Sequence, residues 1–360
     1  MTPTEKFCER LTRPEIPALT GLRAIAALVV VAFHSTSTWF PGWLGVLLFF
    51  VLSGFLITWL LLKESESTGT VSLRAFYMRR SLRIFPPFYV FWILQVAMLS
   101  PVPWALVGSS AAYVSNYYNG IVLGHEAPVM SHTWSLAVEE QFYLLWPILF
   151  VWQRRSPRRL AWYLAGTILG CQVLRVVGYH AGLSGYYVGQ AFEMRCDALA
   201  VGCLSAIILR TRPAIPSWFL SHGAATLSVA ALVALTYVAH TQPTAGLLYC
   251  FGPAAIVSAF LIMQSVALSG AGVFSLLEHP VANYLGRISY PIYLYHFLVL
   301  NLVHSLHWPK PFRIALGVPL LILVASASYY LVERPFLKLR RRAVRDLDKR
   351  QGFDKLVRLP

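Results

Sequence analysis

The stretch Leu19–Trp39, LTGLRAIAALVVVAFHSTSTW, decides the fold class of this sequence. It is long and apolar enough to cross a bilayer as a helix, which takes about 20 residues. Two ionisable residues interrupt it, Arg23 and His34, eleven positions apart. At about 100° and about 1.5 Å per residue they share one helix face, roughly 16 Å apart. Ionisable residues within a span usually serve function, and the alternative is that Arg23 snorkels to lipid headgroups while His34 is simply packed.

The composition extends this interpretation to the whole chain. Hydrophobic residues make up 57% of the 360 residues and charged residues only 12%. This balance predicts an all-α integral membrane protein, a polytopic helical bundle. We expect residues 1–336 to form one transmembrane domain and residues 337–360 a basic cytoplasmic tail that lies on membrane lipid. Apolar stretches predict ten spans, at 19–38, 43–62, 84–104, 134–152, 160–180, 193–210, 218–240, 245–268, 288–307 and 313–333.

The basic residues are distributed very unevenly between the two sides of this bundle. With the N-terminus inside, 25 of the 30 Lys and Arg residues fall on the inner side. The positive-inside rule therefore predicts a multi-pass protein of the inner (plasma) membrane with both termini in the cytoplasm. The net charge of +15 follows from this topology, so we expect no nucleic-acid partner. The five cysteines lack paired or metal-ligand spacing, which predicts no disulfide and no metal site.

The predicted inner loop before the third span carries an arginine cluster, YMRRSLR at 77–83. Arg80 and Arg83 are three positions apart and share a helix face, and Arg79 lies beside them. Guanidinium groups match phosphate oxygens in pairs, so the cluster suits a phosphorylated ligand. On spacing alone, ordinary topology-setting arginines that contact lipid headgroups are the favoured interpretation.

The fourth span opens with two adjacent carboxylates in the segment 131–143, SHTWSLAVEEQFY. Ser135, Glu139 and Tyr143 recur every four residues and so share one face of a helix. An ionised carboxylate in a span needs a partner or a watery cavity. A charged helix N-terminus facing outer water is the alternative, and it suits Glu140 better than Glu139.

The sixth span repeats the pattern with Glu193, Arg195 and Asp197. Arg175, near the outer end of the fifth span, is a plausible partner for these carboxylates. A structural ion-pair network and a substrate site are equally good interpretations. The ninth span contributes a second buried histidine, His296, in the segment YLGRISYPIYLYH.

Taken together, these motifs resemble the membrane acyltransferase-3 family, whose members O-acylate cell-surface glycans and some small molecules. The resemblance covers nearly the whole chain. It is carried by Arg23 with His34, FFVLSGFLIT (49–58), RRSLR (79–83), HTWSLAVEEQFYLLWP (132–147), RCDAL (195–199), YLGRISYPIYLYH (284–296) and VERPF (332–336). One variant of the family carries an extra hydrolase-like domain after the bundle. Because the present sequence ends at Pro360, we expect the acceptor to meet the bundle directly.

The resemblance implies an acyl-CoA-dependent O-acyltransferase, with acetyl-CoA as the family's usual donor and no metal. The implied catalytic residues are His34 and its partner Arg23, to which we add Glu139 as a group that orients the histidine or the sugar. Arg79, Arg80 and Arg83, with Arg23, would hold the donor phosphates. We expect the sugar or glycan acceptor to contact Trp134, Ser135, Arg195, Asp197 and His296. His34 acts either as a general base or as a transient acyl carrier, and a passage should join it to the arginines. A transporter or flippase of a polar substrate is the alternative function, since it would also bury such residues.

Overall fold

The computed structural model describes residues 7, 9–11, 13, 15–35, 41–99, 101–125, 127, 129–210 and 215–340. These residues form helices and turns, with no β-strand among them, which confirms the predicted all-α class. The ten longest described helices are α1 (Pro17–Ser35), α2 (Gly42–Thr68), α3 (Leu73–Ala97), α4 (Thr133–Gln153), α5 (Pro157–His180), α6 (Asp197–Arg210), α7 (His222–Thr241), α8 (Phe251–Ala267), α9 (Ser289–His304) and α10 (Lys310–Ser328).

Each of the ten predicted stretches overlaps one of these helices, but the helices differ in length and apolarity. Six helices of the described chain are long and apolar enough to cross a membrane: α1, α2, α5, α7, α8 with its lead-in from Pro243, and α10 with its extension to Arg340. The helices α6 and α9 have only 14 and 16 residues. The arginines of α3 lower the mean hydropathy of that helix. The two carboxylates of α4 lower the mean hydropathy of α4 in the same way. The chain is therefore a membrane protein, while ten crossings and their orientation stay predictions.

Glycines let α2 and α6 pack against each other with their backbones in contact. A Cβ atom on Gly54 would lie 2.0 Å from the carbonyl oxygen of Leu199, and one on Gly202 would lie 2.1 Å from that of Val51. Small residues of this kind allow the close helix crossings that membrane bundles favour. The sulfur of Cys203 adds a hydrogen bond to the carbonyl oxygen of Gly54 at 3.4 Å. These two helices form the centre of the bundle.

The helix α1, which carries Arg23 and His34, is held by the same kind of contact. A Cβ atom on Gly21 would lie 2.2 Å from the carbonyl oxygen of Leu277, and one on Gly286 would lie 2.0 Å from that of Thr20. Gly286 belongs to the short helix Pro280–Arg287, which leads into α9. Arg23 is thus held close to the start of α9, whereas His34, at the other end of α1, contacts His296 in the middle of α9.

Two further segments adjoin the ten long helices. The helix Trp104–Ala111, between α3 and α4, has 8 residues, which are too few to cross a bilayer. The basic tail predicted at 337–360 is described as far as Arg340, so the rest of that prediction lies outside the described residues.

Candidate functional site

The helices α1, α2, α3, α4 and α9 surround a partly open cavity, with about 660 Å³ of space between the side chains that includes the solvent at its mouth. The cavity is lined by Arg23, Val46, Phe49, Phe50, Ser53, Arg80, Arg83, Ile84, Ser135, Leu136, Glu139, Glu140, Tyr143, Tyr290 and Tyr293.

Three guanidinium groups make one part of this cavity strongly basic. Nε of Arg23 donates a hydrogen bond to Oγ of Ser289 at 3.3 Å, which ties α1 to the first residue of α9. The guanidinium carbon of Arg80 lies 3.7 Å from the centre of the Tyr143 ring, a cation–π contact. Nε of Arg80 is buried and has no hydrogen-bond partner among the described residues. Because Arg23, Arg80 and Arg83 all line it, this part of the cavity suits a bound anion.

Carboxylates of α4 lie on the same cavity wall. Glu139 and Glu140 both line it, so the structure does not match the alternative in which Glu140 faces outer water. The hydroxyls of Ser53 and Tyr143 donate hydrogen bonds to the same oxygen of Glu139. These two donors fix the carboxylate and lower the cost of burying its charge. The cavity therefore presents both a cluster of guanidinium groups and a carboxylate, that of Glu139, which is held in one orientation.

The cavity ends at a pair of hydroxyls that belong to α4 and α9. Oγ of Ser135 and the hydroxyl oxygen of Tyr293 lie 2.5 Å apart, and the Tyr293 hydroxyl also donates to the main-chain oxygen of His132 at 3.0 Å. The ring of Tyr293 contacts the rings of His132 and His296, with centroids 5.7 Å and 5.5 Å away. Tyr293 thus lines the cavity on one side and touches histidines on the other.

Three histidines from separate parts of the chain meet behind Tyr293, and we name His34, His132 and His296 the histidine cluster. The ring of His296 lies 5.0 Å from that of His34 and 4.9 Å from that of His132, between centroids. His132 and His296 are buried, whereas His34 at the end of α1 is half-buried. Phe297 contacts all three rings. In the described part of the chain, no three His, Cys, Asp or Glu side chains are arranged to hold a metal ion.

A family model described as an acyltransferase domain matches residues 16–333, which covers every residue of the cavity and of the histidine cluster. This chain belongs to that acyltransferase family. The resemblance to the membrane acyltransferase-3 family is thereby confirmed.

The matched relatives carry O-acetyltransferase names. The peptidoglycan O-acetyltransferase OatA of Listeria monocytogenes is 30% identical over 92% of this chain and 57% of its own length. A protein of Bacillus subtilis provisionally named as a peptidoglycan O-acetyltransferase is 31% identical over 89% of this chain and 54% of its own. A provisionally named O-acetyltransferase of Staphylococcus aureus is 28% identical over 94% and 60%. The chain thus spans about three-fifths of the length of such relatives. No solved structure matches.

Several site residues expected from the sequence do meet in this chain. Arg23, Arg80, Arg83, Ser135 and Glu139 all line the cavity.

Three other expected site residues lie elsewhere. Arg79 does not line the cavity, because its Nη2 pairs with Oε2 of Glu64 at 2.6 Å. His34 does not line it either, so the expected passage from the arginines ends at Tyr293 and Ser135, in front of the histidine cluster. His296 lies in that cluster rather than in the cavity wall.

The remaining expected acceptor residues form a separate group, away from the cavity. Asp197 pairs with Arg175, with Oδ2 and Nη1 2.7 Å apart, and both side chains are at most 1% exposed. The guanidinium carbon of Arg195 lies 3.8 Å from the centre of the Phe251 ring and 5.8 Å from that of Trp134. None of these side chains lines the cavity. Of the two interpretations for this segment, the geometry matches the structural ion pair, with Arg175 as the partner.

The polar loop before α4 packs against the segment that leads into α6. Tyr117 and Tyr187 donate hydrogen bonds to the two carboxylate oxygens of Glu193 at 2.8 Å and 2.5 Å. The bond to Glu193, together with burial, raises the pKa of Tyr187 to about 12. Asn119 donates to Gln190 at 3.1 Å. This loop therefore has a structural part in holding the start of α6.

Some cavity residues were not expected from the sequence. Ser53, Tyr290 and Tyr293 lie within the matched motifs, but neither charge nor spacing marked them. Glu333 is also close, since its carboxylate interacts electrostatically with Arg83 and Arg23. The sequence signal that could have identified Glu333 is a single carboxylate at the end of the last apolar stretch.

Proposed function

We propose that this chain transfers an acetyl group from acetyl-CoA to a hydroxyl of a cell-envelope glycan such as peptidoglycan. The observation that carries the proposal is the layout of one cavity, with three arginines in its wall and a tyrosine that separates it from the histidine cluster. The names of the matched relatives supply the acceptor class. Family membership favours acyl transfer over the transporter alternative.

The donor would bind by its phosphates. Arg23, Arg80 and Arg83 offer guanidinium groups in one wall of the cavity, and the buried, unpaired Nε of Arg80 leaves a donor available for an oxygen. Guanidinium–phosphate bonds are strong because both partners are charged. The uneven distribution of basic residues favours a cytoplasmic position for this end, where acyl-CoA is found.

The chemical step uses His34. Its unprotonated ring nitrogen takes the proton of the acceptor hydroxyl while that oxygen attacks the thioester carbonyl carbon. The C–S bond then breaks, and the thiolate takes the proton back from His34 and leaves as CoA thiol. The hydroxyls of Ser135 and Tyr293 are the nearest cavity donors to the histidine cluster, so they would stabilise the developing negative charge on the carbonyl oxygen.

The Ser135–Tyr293 pair must part before the thioester reaches His34. Those two hydroxyls line the cavity, and the ring of Tyr293 contacts His296, whose ring in turn contacts His34. Hinges and side-chain gates of this kind commonly limit turnover in enzymes. The proposal therefore includes a closed state, which is the conformation described above.

The decisive experiment supplies purified protein in liposomes with acetyl-labelled acetyl-CoA and soluble peptidoglycan fragments. We expect label on the glycan and one CoA thiol released per acetyl group transferred. Movement of a polar solute across the liposome membrane without label transfer would contradict the proposal and support the transporter alternative.

A further inference from the structure

His296 presents a single buried hydrogen-bond acceptor. Its Nδ1 lies 2.6 Å from the main-chain oxygen of Tyr293. Because a carbonyl oxygen can only accept, Nδ1 carries the proton, and Nε2 of the neutral ring holds a lone pair. Nε2 is buried and has no hydrogen-bond partner among the described residues. A buried acceptor of this kind calls for a donor that the described conformation does not supply.

Three titratable side chains face His296: His34 from α1, His132 from the turn before α4, and Tyr293 from its own helix. Two imidazoles joined by a nitrogen–nitrogen hydrogen bond of about 3 Å have ring centroids roughly 5 Å apart. At 5.0 Å and 4.9 Å, both rings lie near enough for such a bond, which is not formed in the described conformation and needs a ring to rotate. His132 is only 4% exposed, whereas His34 is half-buried. A group that exchanges protons with a substrate needs access to it, which favours His34 as the donor.

We propose that His296 is the positioning residue of His34, with its Nε2 accepting a hydrogen bond from one ring N–H of His34. The proposal rests on the proposed function. The bond selects the tautomer of His34 whose other nitrogen is unprotonated and available to the acceptor hydroxyl. When that nitrogen takes the hydroxyl proton, both nitrogens of His34 are protonated. Nε2 of His296 still accepts a hydrogen bond from one of the two N–H groups. The proton then leaves on the CoA thiol, so His296 neither gains nor loses a proton over the cycle.

Tyr293 connects this pair to the cavity. Its carbonyl oxygen fixes the tautomer of His296, and its hydroxyl meets Ser135 at the end of the cavity. One residue therefore orients the second histidine and closes the space in which the donor would bind. The neutral imidazole of His296 orients His34 in the way that a carboxylate orients the histidine of a Ser-His-Asp triad.

The test compares three variants of the full chain in the labelled-acetyl assay. His296→Leu removes the acceptor, and His296→Gln keeps one, since an amide oxygen can occupy the place of Nε2. His132→Leu is the matched control, because it makes the same substitution at the other buried ring of the histidine cluster. Each variant is checked for a single symmetric peak in detergent, and His296→Met replaces His296→Leu if the leucine variant does not purify.

We expect His296→Leu to lower kcat about 100-fold with KM for acetyl-CoA within about twofold of wild type. His296→Gln should recover kcat to within about tenfold of wild type, and His132→Leu should lose less than His296→Leu. Equal losses of kcat in His296→Leu and His296→Gln would overturn the positioning role. So would a larger loss of kcat in His132→Leu than in His296→Leu. An inactive wild-type protein would instead contradict the proposed function, so the two failures are distinguishable.

Discussion

At the scale of single residues, His34 is the side chain on which the proposed chemistry depends. His34→Ala removes the only proposed base, so we expect acetyl transfer to fall at least about 1,000-fold. The side chain is half-buried at the end of α1, and its removal should leave the fold intact. The measurement is label transfer by purified variant and wild type of matched melting temperature. An active His34→Ala protein would contradict the assignment.

The arginines of α3 give a second prediction at this scale. Arg80 and Arg83 line the cavity, Arg79 pairs with Glu64, and Arg74 on the same helix is exposed. We expect Arg80→Ala and Arg83→Ala each to raise KM for acetyl-CoA about tenfold, because each removes a charge-assisted hydrogen bond. Arg74→Ala is the control and should leave KM unchanged. An equal rise in KM for acetyl-CoA in Arg79→Ala and Arg80→Ala would show that Arg79 also contributes to donor binding.

At the scale of helices, the contact between α2 and α6 should tolerate no added carbon. Gly202→Ala puts a methyl group against the carbonyl oxygen of Val51, so we expect a lower melting temperature and lower yield. Gly170→Ala in α5 is the matched control, because nothing lies within 4 Å of the position that its methyl group would take. Alanine is the better helix former by about 1 kcal/mol, so this control should be neutral or stabilising. Equal melting temperatures for both variants would show that the α2–α6 contact can relax.

The Arg175–Asp197 pair joins α5 to the start of α6 and is fully buried. Asp197→Leu leaves the Arg175 charge without its partner, which costs about 3–5 kcal/mol for a buried pair. The double variant Arg175→Met with Asp197→Leu should recover much of that loss. Thermal unfolding in detergent measures the series. If Asp197→Leu keeps its stability but raises KM for the glycan, the acceptor role expected from the sequence is favoured instead.

At the scale of the whole molecule, the charge distribution predicts which loops face the cytoplasm. Thr70, between α2 and α3, and Ser305, after α9, are both exposed. In a cysteine-free background, a membrane-impermeant maleimide added to intact cells should label Ser305→Cys and label Thr70→Cys only after lysis. The reverse pattern would invert the bundle and place the arginines away from the cytoplasmic donor.

The sequence by itself determined the all-α class and the membrane environment. Those properties depend on the length and apolarity of local stretches, which no distant contact alters. It also identified Arg23, Arg80, Arg83, Ser135 and Glu139, because a charged or polar residue in an apolar stretch is visible without a structure.

Only the tertiary structure decided which of these polar groups share a site. Arg79 and Arg80 are neighbours in sequence, yet one meets Glu64 and the other Tyr143, because side chains one position apart point in different directions from a helix. His34, His132 and His296 come from distant parts of the chain, and the glycine contacts that hold α1 against α2 and the lead-in to α9 help bring them together. Ion pairing and ring contact depend on distances between helices, which local composition does not specify.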